Sequence, residues 1–160
     1  MISSSASELV WFLGGLMRVH AAVGSGCDVS VIEHTVPQGS SPPMHVHRDE
    51  DEVFHLLEGE VRFVVEGTEI HARQGQTVVV PKGKSHSFLV TSQAGARWLV
   101  ITNGRNFERL VRAISRPAES ATMPPAAPPT PAEAKALEMA CRANGIDLVG
   151  PPLSAVQHAV

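Results

Sequence analysis

The sequence predicts an all-β protein, an antiparallel sheet curled into a barrel with C-terminal helices packed outside. Three observations carry that expectation. Stretches such as 28–36, 61–66 and 97–102 alternate apolar and polar residues at the period of a half-buried strand. The chain holds 13 Gly and 12 Pro, so turns are frequent and strands short. Beyond residue 104 the apolar spacing changes to that of a helix.

In chain order, residues 1–8 are Ser-rich and expected to fray or to pair with another subunit. Residues 10–13 and 16–22 read as two strands about Gly14-Gly15, a dipeptide that can supply a two-residue hairpin turn. A Gly/Ser loop, 23–27, leads to a strand over 28–36, with Val29 and Val31 on one face and Ile32 and His34 on the other. His20 and His34 are read as outer-face or interface residues. Residues 37–43 deliver the chain in extended form, because residues before proline avoid the helical region.

Strands over 52–57 and 61–66 are expected to form a tight hairpin through Glu58-Gly59-Glu60, with Val61, Phe63 and Val65 on one face. Gly67-Thr68 turns the chain again, 69–72 is a short strand, and the apolar run 76–80 stops at Pro81. The turn Pro81-Lys82-Gly83-Lys84 sets His86 at the start of its strand. Residues 97–102 close the sheet, with Trp98 and Val100 facing one way and Leu99 and Ile101 the other.

Phe107, Leu110, Val111 and Ile114 fall at i, i+3, i+4 and i+7, and Glu108 precedes Arg112 by four. They predict a helix at 104–115 on the outside of the barrel, with Asn106 available as its cap. From Pro117 to Pro131 the chain is rich in proline, alanine and serine, as an extended linker is. Thr130-Pro131-Ala132-Glu133 reads as a capping box with Pro at the first helical position, and Asn144-Gly145 stops the helix. The tail holds Ile146, Leu148, Val149 and Leu153, which are expected to pack back on the barrel or on a partner. The expected organisation is therefore 1–116 for the barrel and first outer helix, 117–130 for a linker, and 131–160 for a C-terminal helix and tail packed on the barrel.

At 160 residues the chain is long enough for one domain with a sizeable core. A net charge of −3, 18% charged residues and no run of Lys or Arg suggest no nucleic-acid surface. Cys27 and Cys141 are too few for a disulfide framework, so a reduced, cytoplasmic protein is expected. The apolar run 9–17 has no basic start and contains a Gly pair, which makes it a strand pair and not a signal peptide. No stretch is long enough to span a bilayer, so no membrane partner is expected.

The chemistry lies in His45, His47, Glu52 and His86. His45 and His47 are two apart and share a face of an extended strand. Glu52 opens a set with Phe54 and Leu56, and His86 shares its parity with Phe88 and Val90. Three imidazoles and a carboxylate, each at a strand end with apolar neighbours, would converge inside the barrel. Strand histidines taken singly are usually surface or hydrogen-bonded residues; the combination, with glycines and a proline at the turns, reads as a metal site. Such a nitrogen and oxygen set suits first-row transition ions and leaves positions for water, O2 or substrate. Asp49, Glu50 and Asp51 are alternative carboxylates but read as a solvated turn. Arg62, Lys82 and Lys84 could meet an anionic substrate at the barrel mouth, although exposed charges ordinarily have no such role.

Written as spacings, the two segments are G-x5-H-x-H-x4-E-x6-G, from Gly39 to Gly59, and G-x5-P-x-G-x2-H, from Gly75 to His86. They resemble the paired motifs of the cupin superfamily, small β-barrels whose first motif supplies two His and a Glu and whose second supplies the third His. One position departs: the second motif often carries Asn four residues after its His, and here that residue is Val90, which bears on the pocket lining. The opening FLGGLMRV, the segment PPMHVHRDEDEVFHLLEGE and the helix-plus-GPP tail further resemble single-barrel cupins described as quercetin dioxygenase-like.

The resemblance implies a double-stranded β-helix, or jelly roll, and a divalent ion (Fe, Mn, Ni, Cu or Zn) on His45, His47, Glu52 and His86. It implies a dioxygenase that brings O2 to an enol- or flavonol-like small molecule. Glu52 would be both ligand and candidate base, the latter requiring a pKa lifted by dry surroundings. Phe54, Leu56, Phe63, Phe88 and Val90 are candidates for that apolar lining, core packing being their commoner role. An isomerase, lyase or hydrolase using the metal as Lewis acid, and a non-catalytic small-ligand binder, are the alternatives. The apolar N-terminal strands, and the pairing habit of cupins, imply a homodimer.

Overall fold

A computed structural model describes residues 8–24 and 27–155 of the chain. Most of the Ser-rich start, and Ser25 and Gly26 of the loop expected at 23–27, lie outside the described residues. The first half contains β1 (Glu8–Phe12), β2 (Gly15–Ala21), β3 (Ser30–Val36), β4 (Pro43–His47), β5 (Glu52–Glu58) and β6 (Glu60–Val65). Then come β7 (Thr68–Arg73), β8 (Thr77–Val80), β9 (His86–Val90) and β10 (Ala96–Thr102). The C-terminal part contains α1 (Asn106–Ile114), β11 (Arg116–Pro117), α2 (Pro131–Ala143) and β12 (Ile146–Pro152).

The strands form two antiparallel sheets. One has the order β11-β1-β2-β3-β10-β5-β8 and the other β12-β4-β9-β6-β7. Inward residues alternate along each strand, so that Ile32, Phe54, Trp98 and Val100 of the first sheet share one core with Val61, Phe63 and Val90 of the second. The rings of Phe54 and Phe63 meet across it at 5.0 Å, as do those of Phe88 and Trp98. Each such side chain contributes about 1.5–3 kcal/mol by leaving water, which makes this layer the principal adhesive between the sheets. Among the described residues, no helix is long and apolar enough to cross a membrane.

Several expectations are corrected. The first hairpin turns on Leu13-Gly14, both in the left-handed region at φ 48° and 78°, and not on Gly14-Gly15. Gly15 is a strand residue, and a Cβ on it would sit 2.7 Å from Val36 Cγ1, so β2 needs glycine there to approach β3. The strands flanking Gly59 do not form a hairpin. β5 pairs with β10 and β8, whereas β6 pairs with β9 and β7, so the chain passes from one sheet to the other at Gly59. At that corner φ is 82° and a Cβ would meet Gly95 O at 2.5 Å, which leaves no room for another residue.

The C-terminal tail is also more ordered than its composition implies. β12 adds to the edge of β4, pairing Ile146 with His47 and Leu148 with His45. The segment after α1 returns over β1, where Pro117 pairs with Val10 and Trp11 Nε1 donates to Thr122 O at 2.7 Å. The capping box of α2 is formed as expected, and Cys141 on that helix belongs to the core cluster. Asn106 does not cap α1. Arg105 occupies the N-cap without a side-chain bond, and the first amides of the helix are met by a residue from another part of the chain, described below.

Candidate metal centre

β4 carries His45 and His47 on one face, and the antiparallel pairing of β4 with β9 sets His86 directly opposite His45. The two rings lie 4.3 Å apart between centroids. Glu52 opens β5, on the other sheet. Three imidazoles from one sheet thus meet one carboxylate from the other, and their ligand atoms all lie within 4.8 Å of one another. His47, Glu52 and His86 are buried and His45 is partly exposed, so the group is approached from the His45 side.

The hydrogen bonds around the group orient each ring. His45 Nδ1 lies 2.8 Å from Pro43 O, His86 Nδ1 lies 3.0 Å from Lys84 O, and His47 Nδ1 lies 3.0 Å from Glu50 Oε1. An oxygen acceptor at Nδ1 fixes the proton there and leaves the Nε2 lone pair for the centre of the group. His86 Nε2 is 2.9 Å and His47 Nε2 3.4 Å from Glu52 Oε2, the latter buried without a hydrogen bond. An ionised carboxylate ringed by imidazole Nε2 atoms is the donor set a divalent transition ion takes.

Electrostatics agree. Burial alone would raise the Glu52 carboxyl, but the charges of His47 and His86 and the His86 hydrogen bond outweigh it and hold the pKa down to about 2. The lifted pKa that a Glu52 base would require is therefore not found: the imidazoles that converge on Glu52 outweigh its burial. Burial pushes His45 down to about 3, with the neighbouring imidazoles adding to the effect, so it is a neutral imidazole at neutral pH. Burial would also lower His47, but the charge of Glu52 and the bond to Glu50 prevail and raise it.

Of the lining candidates, Phe54, Leu56, Phe63 and Val90 are buried core residues, and Phe88 packs against them partly buried. Phe54 reaches the group itself, its ring 6.3 Å from His86. Of the cations considered for the mouth, Arg62 and Lys84 are engaged through their side chains, and Lys82 is bonded through its backbone amide. Arg62 donates to Glu69 Oε2 and Ser154 O, Lys84 lies 3.8 Å from Glu66, and the Lys82 amide donates to Asp51. Two surface hollows, of about 500 Å3 near Arg18, Glu33 and Arg97 and about 410 Å3 near Val53, Val79 and Ile101, lie away from the group.

Two residues were misread from sequence. His34 is buried inside, stacked on Phe107 with centroids 5.7 Å apart and beside Trp98 at the same distance, and is not on the outer face. Its parity with Ile32 was the signal available. Glu50 is not part of a solvated turn. It is 1% exposed, because residues 104–107 close over it.

Residues 32–102 match the family described as Cupin domain. An uncharacterized protein of Methanocaldococcus jannaschii is 27% identical over 75 residues, 46% of this chain and 60% of that relative, so the match spans about three fifths of the relative's length. Among solved structures, KdgF from Halomonas sp. is 16% identical with a TM-score of 0.52, over 59% of this chain and 84% of that one. A predicted oxalate decarboxylase from Thermotoga maritima is 22% identical with a TM-score of 0.50, over 64% and 96%. These two share the fold. Residues 32–102, the stretch that matches the Cupin domain family, hold all four members of the His/Glu group.

Proposed function

We propose that His45, His47, Glu52 and His86 hold a divalent transition ion, and that the protein is a metal-dependent enzyme, a dioxygenase of enol- or flavonol-like small molecules. The observation that carries the metal reading is the shared orientation of the three imidazoles, each committed through Nδ1 to an oxygen and facing the others with Nε2. A redox-active ion would supply the charge transfer that the slow direct reaction of O2 with a closed-shell molecule lacks. The chain's own part is to hold Glu52 ionised, to orient the three rings and to back them with the aromatic side chains of Phe54 and Phe107. Phe54, Phe63, Phe88 and Trp98 form a continuous packed ring network behind His86, which gives the group a dry apolar backing. The partly exposed side at His45 is the approach.

With a non-redox ion the same site would support isomerase, lyase or hydrolase chemistry. In either reading Glu52, held near 2, is a better ligand than base. Metal analysis of the purified chain, followed by O2-electrode assays on flavonols and simpler enols with each ion in turn, separates the two. O2 uptake with Fe, Mn, Ni or Cu but not Zn supports the dioxygenase. A metal-loaded chain that consumes no O2 with any enol removes it. The organisation as a barrel with its first helix at 1–116, a linker at 117–130 and a docked helix and tail at 131–160, and assembly as a homodimer, belong to the same proposal. Sedimentation as a monomer would count against the dimer.

A further inference from the structure

We infer that Glu50 is the positioning residue of the metal centre, holding His47 toward the other ligands and tying it to the N-terminus of α1. The inference rests on the metal reading above. Glu50 Oε1 accepts from His47 Nδ1 at 3.0 Å and from the Phe107 amide at 2.7 Å, while Oε2 accepts from the Asn106 amide at 3.1 Å. It faces the side of His47 opposite Nε2, so it is not a fifth member of the group. A buried carboxylate of this kind must be fully hydrogen-bonded to be tolerated, and all three of its donors come from His47 and the helix start.

The surroundings are built for it. α1 has no side-chain cap of its own, and its unsatisfied first amides and positive dipole end are met by the Glu50 carboxylate. The chain passes over Glu50 at Gly104, where a Cβ would sit 2.7 Å from Glu50 Oε2 and 3.0 Å from Glu50 Cβ. Phe107, the residue whose amide Glu50 holds, packs its ring 6.0 Å from that of His47. One carboxylate thereby sets the tautomer and the tilt of His47 and the seat of α1 together. A carboxylate behind a ligating imidazole raises its basicity, and removing such a partner typically weakens metal binding about 10–100-fold.

The test uses the full chain, stripped of metal and titrated with Co(II), with absorption bands, affinity and melting temperature followed together. Glu50→Ala is expected to bind Co(II) ~10–100-fold more weakly and to shift the bands. Glu50→Gln keeps an oxygen for His47 Nδ1 and is expected to recover most of the affinity. Amide exchange at Asn106 and Phe107 should slow on Co(II) binding in the parent chain and not in Glu50→Ala. If Glu50→Ala melts lower but keeps the parent's affinity and bands, Glu50 is a helix cap only and the inference is overturned. A parent chain that binds no Co(II) removes the metal centre itself, an outcome visible without any variant. Should Glu50→Ala not fold, Gly104→Ala crowds the carboxylate while keeping every ligand, and unchanged Co(II) affinity and bands in Gly104→Ala overturn the inference.

Discussion

His86 Nε2 lies 2.9 Å from Glu52 Oε2, a contact between residues on different sheets. Glu52 is the member of the group that the seven-stranded sheet contributes, so an ion bound there would clamp the two sheets together. Binding to the folded chain alone should raise its stability by about 2.7 kcal/mol at a free-ion concentration 100-fold above Kd. Glu52→Gln keeps the shape and loses the charge, and should lose nearly all of that gain. Calorimetric melting with and without Ni(II) or Mn(II), and reversal by a chelator, measures it. A variant that gains as much as the parent would take Glu52 out of the ligand set.

His34 should make the fold acid-sensitive. Burial lowers its pKa from 6.5 to about 4, the charge of Glu52 only partly opposing. The folded value lies below the unfolded one, so as pH falls the unfolded chain takes the proton first. Stability is therefore lost between pH 6.5 and about 4 and changes no further below that on this account, a total of about 3 kcal/mol. His34→Phe, which keeps a ring beside Trp98 and Phe107, should flatten that part of the curve. Urea unfolding at pH 7 and pH 4.5 reads the difference, and equal slopes in parent and variant would sink it.

Where a residue's role depends on its own strand, sequence sufficed. The parity of His45, His47, Phe54, Trp98 and Val100 is a property of local backbone geometry, and the structure turns each of them inward. The cap of α2 was legible for the same reason, Thr130 and Glu133 lying within one turn. What escaped depends on pairings between distant segments. The run Arg48–Asp51 has the composition of a solvated turn, and nothing within it says that residues 104–107 will cover Glu50 and leave Asp51 at the surface. Likewise Glu58-Gly59-Glu60 has the composition of a hairpin turn. Only the partners of β5 and β6, ten or more positions away for most of them, make it a crossing between sheets.

That crossing yields a contrast between two glycines of similar dihedral angle. Gly59 has φ 82° with Gly95 O, Ser92 Oγ and Ala96 Cα all closer than 3 Å to an added Cβ, whereas Gly67 has φ 77° and open space. Gly67→Ala should cost only the left-handed penalty of about 1–2 kcal/mol. Gly59→Ala adds overpacking of about 1–3 kcal/mol and displaces the entry to β6. Chemical denaturation of the two variants should therefore rank Gly59→Ala as the more destabilised. Equal losses would mean that the corner can relax and does not fix the crossing.

The two thiols report on how α2 is held. Cys27 is exposed, while Cys141 is buried in the core cluster with its pKa pushed up by burial to about 11. Thiolate is the reactive species, so at pH 8 an aromatic disulfide reagent should titrate Cys27 at once and leave Cys141 protected. Leu137 and Ala140 pack on the same core, which makes release of Cys141 equivalent to release of the helix. If α2 and the sheets unfold as one unit, Cys141 should become reactive at the same urea concentration at which the Trp98 fluorescence changes. Labelling of Cys141 well below that concentration would instead mark α2 as a separately opening element, with an opening free energy smaller than that of the whole fold.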